Sequence, residues 1–473
     1  MQFDSLSFLV FFLVFLFLYV LFQGKLRFQN YLILSGSYLF YGWWDWRFLF
    51  LLSLTVIVDF LVAKQLAADR GRAKLYVTAS IVFNLGILAI FKYFNFFADS
   101  ASALLDIIGV QNQYVALNIV LPVGISFYTF QSMSYVIDVY RKQLAPCNSI
   151  FDYAAYVSFF PQLIAGPIER GSRLLPQILN PRRLNVERFY EGSYLVFWGL
   201  FKKIYIADNL AKIVDETFGG GGDFTNSVQV TIAVYAFAFQ IYCDFSAYSD
   251  IARGLAKIVG FDLMINFDLP YFATNPAEFW RRWHISLSTW LRDYLYIPLG
   301  GSKHGAFLTY RNLMITMLLG GLWHGAQLTF IVWGLYQGVL LVLHRLYRKQ
   351  IPKLEFLPGW RSLFLRSFKV LVFFQFVCFG WLIFRADDLS QVSKALGAIF
   401  SVPEWQQIPG LAAQPVFYLL PLLLVQMLQA VTGKHNAILS LHVIPRTLFY
   451  VSLVFLVVFL GNFDANQFIY FQF

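Results

Sequence analysis

The chain has 473 residues, 59% of them hydrophobic and only 13% charged, against about 25% charged in a typical soluble domain. Its mean hydropathy is +0.61. One globular core of this length cannot hide so much apolar surface, which excludes a water-soluble protein and leaves most of the chain facing lipid or other buried helices. The net charge of +10 does not point to nucleic acid. The basic residues sit in short clusters beside apolar runs, at 24–27, 64–74, 140–143 and 344–349, and read as cytoplasmic loops that meet anionic headgroups.

The first apolar run, 7–23, has no basic residues ahead of it and no small-residue cleavage site behind it. It is expected to be an uncleaved first span with the N-terminus outside. Further apolar segments occur near 30–44, 48–63, 75–97, 116–139, 193–210, 227–247, 312–343, 363–384, 413–431 and 446–461. Several are shorter than the ~20 residues of a simple span, so tilted, broken or re-entrant helices are expected. The fold class that follows is an all-α polytopic membrane protein of roughly 10–12 transmembrane helices, with re-entrant and interfacial helices besides. No internal repeat and no separable soluble domain is evident, which makes 1–473 a single membrane domain. Its motif-bearing core lies at about 115–345 and an aromatic tail at 462–473.

Aromatic residues reach 19%, with 53 Phe, 27 Tyr and 12 Trp, which suits lipid-facing Phe and interfacial Trp/Tyr belts. Cys147, Cys243 and Cys378 are too far apart to show a disulfide framework or a zinc motif, and no metal site is expected. Residues 156–191 begin apolar but are broken by Pro161, Gly166 and Pro167, then turn basic with Leu174, Leu175, Ile178 and Leu179 at helical spacing. That pattern suits a re-entrant element followed by an interfacial amphipathic helix. FGGGGDF (218–224) is expected to be a flexible loop, because it lacks the spacing and the following lysine of a phosphate cradle.

The stretch 279–301, FWRRWHISLSTWLRDYLYIPLGG, concentrates polar and aromatic residues that the rest of the chain avoids. Read as one helix, it places Trp280, His284, Leu287 and Leu291 on one face and Arg281, Ile285, Ser288 and Arg292 on the next. One reading is an interfacial helix anchored by Trp280, Trp283 and Trp290, with its arginines on phosphates; that reading does not account for His284. From Asn312 to Leu343 there is no charged residue, and LLGGLWHGAQLTF places His324 near the middle of that run. An ionisable group there is costly unless it is functional or paired. Gly320, Gly321 and Gly325 beside it permit close backbone approach or a helix break. A neutral imidazole suits general-base work on an attacking hydroxyl, with His284 orienting substrate or serving a second proton step; packing within the bundle core is the alternative. His304, His344, His435 and His442 lie in loops or basic connections.

In QIYCDFSAYSDIARG (240–254), Asp244 follows a strongly apolar span and is placed to meet the arginines of 279–301; a polar helix end is the competing reading. The sequence ends GNFDANQFIYFQF, with Tyr470 among Phe468, Phe471 and Phe473. Such an apolar tail is expected to insert into a groove, or to anchor at the interface. Lys434 and Arg446 mark the preceding loop as cytoplasmic, which places the tail outside.

These motifs carry a resemblance. FFPQLIAGPIER (159–170), CDFSAYSDIARG (243–254), WRRWHISLSTWLRDYLYIPLGG (280–301) and GGLWHGA (320–326) resemble, in order, those of the membrane-bound O-acyltransferase (MBOAT) family. The similarity is to its bacterial branch, which serves alginate O-acetylation and teichoic acid D-alanylation, and is nearer to the first. The resemblance implies a ring of helices around a thin centre, with a tunnel whose two funnels meet near a histidine. It implies that His324 is catalytic and that His284 lines the same tunnel. Arg281, Arg282, Trp280, Trp283, Trp323 and Asp244 would shape the tunnel or bind the donor. No bound cofactor is implied; the acyl donor would be acetyl-CoA or another thioester, for which arginines at the mouth are suited. By the same resemblance Tyr470 would act as an acyl relay. A periplasmic partner of the SGNH-hydrolase type would take the group on to an exported polysaccharide, beside the exopolysaccharide assembly machinery in the bacterial inner membrane. The alternatives are D-alanyl transfer to teichoic acid and a non-enzymatic transporter, though a transporter would more often show inverted repeats and several intramembrane charges.

Overall fold

A computed structural model describes residues 1–109, 119–220, 224–350, 360–463 and 468–469. Among these residues the regular elements are all helices. Seven are long and apolar enough to cross a membrane, including Phe48–Ala68, Ser227–Ile258, Arg361–Arg385 and Val443–Leu460. The other expected spans fall on helices that are shorter, such as Leu6–Leu21, or more polar, such as Leu26–Asp45 with its buried Gln29 and Asn30. Val443–Leu460 has a mean hydropathy of 2.2 yet leaves most of its side chains outside the protein, an arrangement that a lipid surrounding stabilises.

The chain divides into two compact units, Met1–Val196 with Tyr248–Met264, and Phe197–Ala247 with Ile265–Phe473. In the first, buried polar groups satisfy one another across helices. Asp59 accepts from Ser80 Oγ at 2.6 Å, Asn84 Nδ2 at 2.9 Å and Ser132 Oγ at 2.5 Å. Arg182 donates to Tyr19 and Asn30, and Gln29 donates to the Arg182 carbonyl. The 156–191 stretch is a series of short helices, Phe160–Leu163, Gly171–Ile178 and then Val186–Leu200. Gly171–Ile178 buries Leu174, Leu175 and Ile178, as its spacing predicts, while Leu179 is exposed. Glu169, also fully buried, accepts the Met264 N–H. Of the four glycines at 219–222, Gly219 and Gly220 are described and the rest of that loop, 221–223, lies outside the described residues.

In the second unit, the apolar run 312–343 is two helices rather than one, Ala306–His324 and Leu328–Gln350. Glycines explain the turn. A Cβ on Gly321 would lie 2.3 Å from the Phe330 carbonyl oxygen, one on Gly334 2.5 Å from that of Met317, and one on Gly338 2.8 Å from Met314 Sδ. As one number rises the other falls, so the helices form a tightly packed antiparallel hairpin. His324 is the last helical residue before its tip.

The 279–301 segment is likewise not one helix. Pro276–Arg282 ends at Trp283, His284 takes a left-handed backbone with φ 42°, and Ile285–Leu291 restarts before a π-helical turn, Arg292–Tyr296. The break turns His284 away from the face it would share with Trp280 in a continuous helix.

Candidate active site

His324 is buried, with 4% of its surface exposed. Its imidazole meets the indole of Trp323 at 5.0 Å, that of Trp333 at 5.1 Å and the ring of Phe384 at 5.4 Å, all close to edge-on. Gly325 lets the chain leave the helix here, since a Cβ on it would lie 2.1 Å from the Phe330 ring. Both uses expected of these glycines are present, close approach at Gly321 and a break at Gly325.

His284 is fully buried. A left-handed backbone on a residue other than glycine is uncommon and needs surrounding structure to hold it. Asn266 supplies that support. Its carbonyl oxygen accepts the Ile285 N–H at 2.9 Å, and its side-chain Oδ1 accepts the Ser286 N–H at 3.1 Å and Ser286 Oγ at 3.0 Å. The same Oδ1 lies 3.2 Å from His284 Nδ1. An acceptor facing Nδ1 places the proton there and leaves Nε2 with its lone pair. Burial lowers the pKa of this imidazole to about 3, outside the candidate spans, so it stays neutral at physiological pH.

Aromatic rings join the two histidines. His284 lies 4.6 Å from Phe245 and 5.9 Å from Trp323. Trp283 packs on Phe267 at 5.0 Å and on Trp381 at 4.8 Å, and Trp280 lies 5.9 Å from Trp333. Trp280, Trp283 and Trp290 are buried, so they pack inside the protein rather than standing exposed as interface anchors. The two arginines diverge. Arg282 pairs with Glu278 at 3.1 Å and donates to the Asp268 carbonyl at 3.0 Å, while Arg281 is exposed.

Asp244 does not meet these arginines. Its carboxylate pairs with buried Lys203 at 3.1 Å, and Lys203 also holds Asp208 at 2.7 Å. Lys203 sits in a π-helical turn, Phe201–Ala207, a form often found at functional sites. It was missed in the sequence although Lys202 and Lys203 interrupt an apolar run, the signal that marks intramembrane charge. Asn266, Trp333, Trp381 and Phe384 carried no such signal. Of the last ten residues, Phe468 and Ile469 are described; both are buried, and the Ile469 N–H donates to Asp244 at 2.8 Å. Tyr470 lies outside the described residues, so the relay expectation is not placed here.

A helical membrane protein whose second unit buries two histidines among indole and phenyl rings has the character of an integral membrane enzyme. The chain belongs to the membrane-bound O-acyltransferase family, whose model matches residues 37–384, and it is an O-acyltransferase. It is 42% identical over 409 residues to the protein named "Probable alginate O-acetylase AlgI" of Azotobacter vinelandii, covering 86% of this chain and 79% of that one. The protein of that name in Pseudomonas aeruginosa is 43% identical over 411 residues, with 86% and 76% covered. The peptidoglycan O-acetyltransferase of Helicobacter pylori is 35% identical over 396 residues, with 77% and 72% covered.

Proposed function

We propose that this acyltransferase takes an acetyl group from a cytoplasmic thioester, such as acetyl-CoA, and passes it across the inner membrane for O-acetylation of an exported, alginate-like polysaccharide. The observation that carries this reading is the pair of buried histidines, His324 and His284, packed on one indole, Trp323. The acetylase names of the relatives support the acetyl group and the polysaccharide.

The chemistry follows from the groups present. His324 removes the proton of an attacking hydroxyl as its oxygen bonds to the thioester carbonyl carbon. The carbon–sulfur bond breaks, and the proton passes to the departing thiolate. Edge-on aromatic rings exclude water and hold the imidazole without charging it. Neutral His284, its Nδ1 fixed by Asn266, offers Nε2 as an acceptor for a hydroxyl or for the proton in transit. Exposed Arg281 is the arginine suited to donor phosphates. In this reading the attacking hydroxyl is that of Tyr470, and its acetyl ester is then cleaved by transfer to a periplasmic SGNH-type partner that serves the polysaccharide machinery, which restores the tyrosine hydroxyl.

The test is O-acetyl content of the exported polysaccharide in cells carrying His324→Ala or Tyr470→Phe, with membrane levels of the protein checked. Loss with His324→Ala at normal levels supports the assignment, and persistence of acetylation overturns it. Thioester consumption by the purified protein reports the donor. Arg281→Glu is expected to raise the donor KM; an unchanged donor dependence removes that role.

A further inference from the structure

From the buried charges of the second unit we infer that Asp244, held by Lys203, is the docking post for the backbone at Ile469 and seats Phe468 in the wall behind His284.

Two clamps flank Asp244 and Lys203, one at residues 460–462 and one at Ile469. Asn209 Nδ2 donates to the Leu460 carbonyl at 2.9 Å. The Asn462 N–H donates to the Ile204 carbonyl at 3.0 Å, within the π-helical turn, and Asn462 Nδ2 donates to the Asp208 carbonyl at 3.0 Å. Gly461 lies so close that a Cβ on it would be 2.7 Å from Ile204 Cγ2. The second clamp is at Ile469, whose N–H donates to Asp244 Oδ2 at 2.8 Å, while Oδ1 of the same carboxylate faces Lys203 Nζ at 3.1 Å. Lys203 links the two clamps through Asp208 at 2.7 Å.

Burial explains why the backbone is drawn in. The Asp244 carboxylate is nearly excluded from solvent. A buried charge is stable only where donors surround it, and an N–H from the chain is such a donor. It carries no charge of its own and so fits an apolar setting.

The anchored residue is set one ring away from His284. Phe468 is fully buried and packs on Phe245 at 5.9 Å, and Phe245 lies edge-on to His284 at 4.6 Å. Asp244 and Phe245 are adjacent on the Ser227–Ile258 helix, so one element holds the Ile469 backbone and presents its ring to the histidine wall. Asp244 is therefore a positioning residue. The docking stands by itself; its consequence for acetyl transfer rests on the reading that Tyr470, the next residue, carries the group.

The test uses the full-length protein in detergent with a reporter thiol, Phe468→Cys, and a water-soluble maleimide. Background from the three native cysteines is measured in the same variants without the reporter. Labelling is expected to be slow in the otherwise unchanged protein. It should be at least about tenfold faster with Asp244→Ala or Ile469→Pro, on the scale of one lost hydrogen bond to a charged group. Ile469→Pro removes the single donor and leaves the ion cluster intact, so it decides the matter if Asp244→Ala fails to accumulate. Unchanged protection with Ile469→Pro overturns the docking. O-acetyl content of Tyr470→Phe cells separates the two ideas. Fast labelling with active Tyr470→Phe keeps the docking and removes the relay, whereas slow labelling with inactive Tyr470→Phe does the reverse.

Discussion

The imidazole of His284 meets the indole of Trp323 at 5.9 Å, tilted 62° toward edge-on, and the same indole meets His324 at 5.0 Å. One side chain thus forms a wall for both histidines. It arrives on a helical hairpin, whereas His284 arrives on a broken segment anchored by Asn266.

If His324 is the base, His324→Gln keeps the size and burial of the side chain but not its basicity. Transfer is expected to fall by about 10²–10⁴-fold, the usual contribution of a positioned general base, with the protein still present in the membrane. Trp323→Phe should lower transfer less, because a ring remains between the histidines. Acetyl release from a thioester donor by the purified variants measures both; a His324→Gln enzyme at parent rate contradicts the assignment.

Backbone and chemistry at His284 are separable. Asn tolerates the left-handed conformation and β-branched residues do not. His284→Asn is therefore expected to be inactive yet folded, and His284→Val inactive and less stable. Asn266→Ala strips the acceptor from two Ser286 donors and should cost at least about 2 kcal/mol, since each buried donor left without a partner costs 1–3 kcal/mol. Thermal unfolding in detergent alongside activity distinguishes the three; equal Tm for Asn266→Ala and the parent would show that the turn is held otherwise.

The hairpin gives a steric prediction with an internal control. Gly321→Ala places a methyl 2.3 Å from a backbone oxygen, and Gly325→Ala places one 2.1 Å from the buried Phe330 ring. Overpacking of this kind costs about 1–3 kcal/mol, and by shifting the tip it should also displace His324 and abolish transfer. Gly397→Ala, on the Leu389–Ile399 helix with nothing within 4 Å of the added carbon, is expected to be neutral or slightly stabilising.

The lowered pKa of His284 has a signed consequence. The unfolded imidazole takes up a proton below about pH 6.5, while the folded one resists until about pH 3. Stability that is complete above pH 6.5 is therefore lost progressively as pH falls toward 3. Between pH 7 and 5 the loss from this group is about 2 kcal/mol at most. The Tm of the parent should fall more over that interval than the Tm of His284→Gln; parallel slopes would mean that the imidazole is solvated.

Much of this protein was legible along the chain. Apolar runs, clustered lysines and arginines, and one histidine among glycines in a charge-free stretch are properties of sequence neighbours, and they determined a helical membrane protein with a buried His324. The tertiary structure decided what depends on residues distant in sequence. The 279–301 stretch reads as a continuous helix by periodicity, but Asn266, 18 positions away, holds it open at His284. Trp280 and Trp283 have the residue type of interface anchors, but they are buried against Trp333 and Trp381 instead. Asp244 was expected to find arginines, because opposite charges attract wherever they meet. Its partners are Lys203 and a backbone N–H 225 positions away, since a buried carboxylate takes the donors that packing brings within hydrogen-bond reach, and only the folded chain sets which those are.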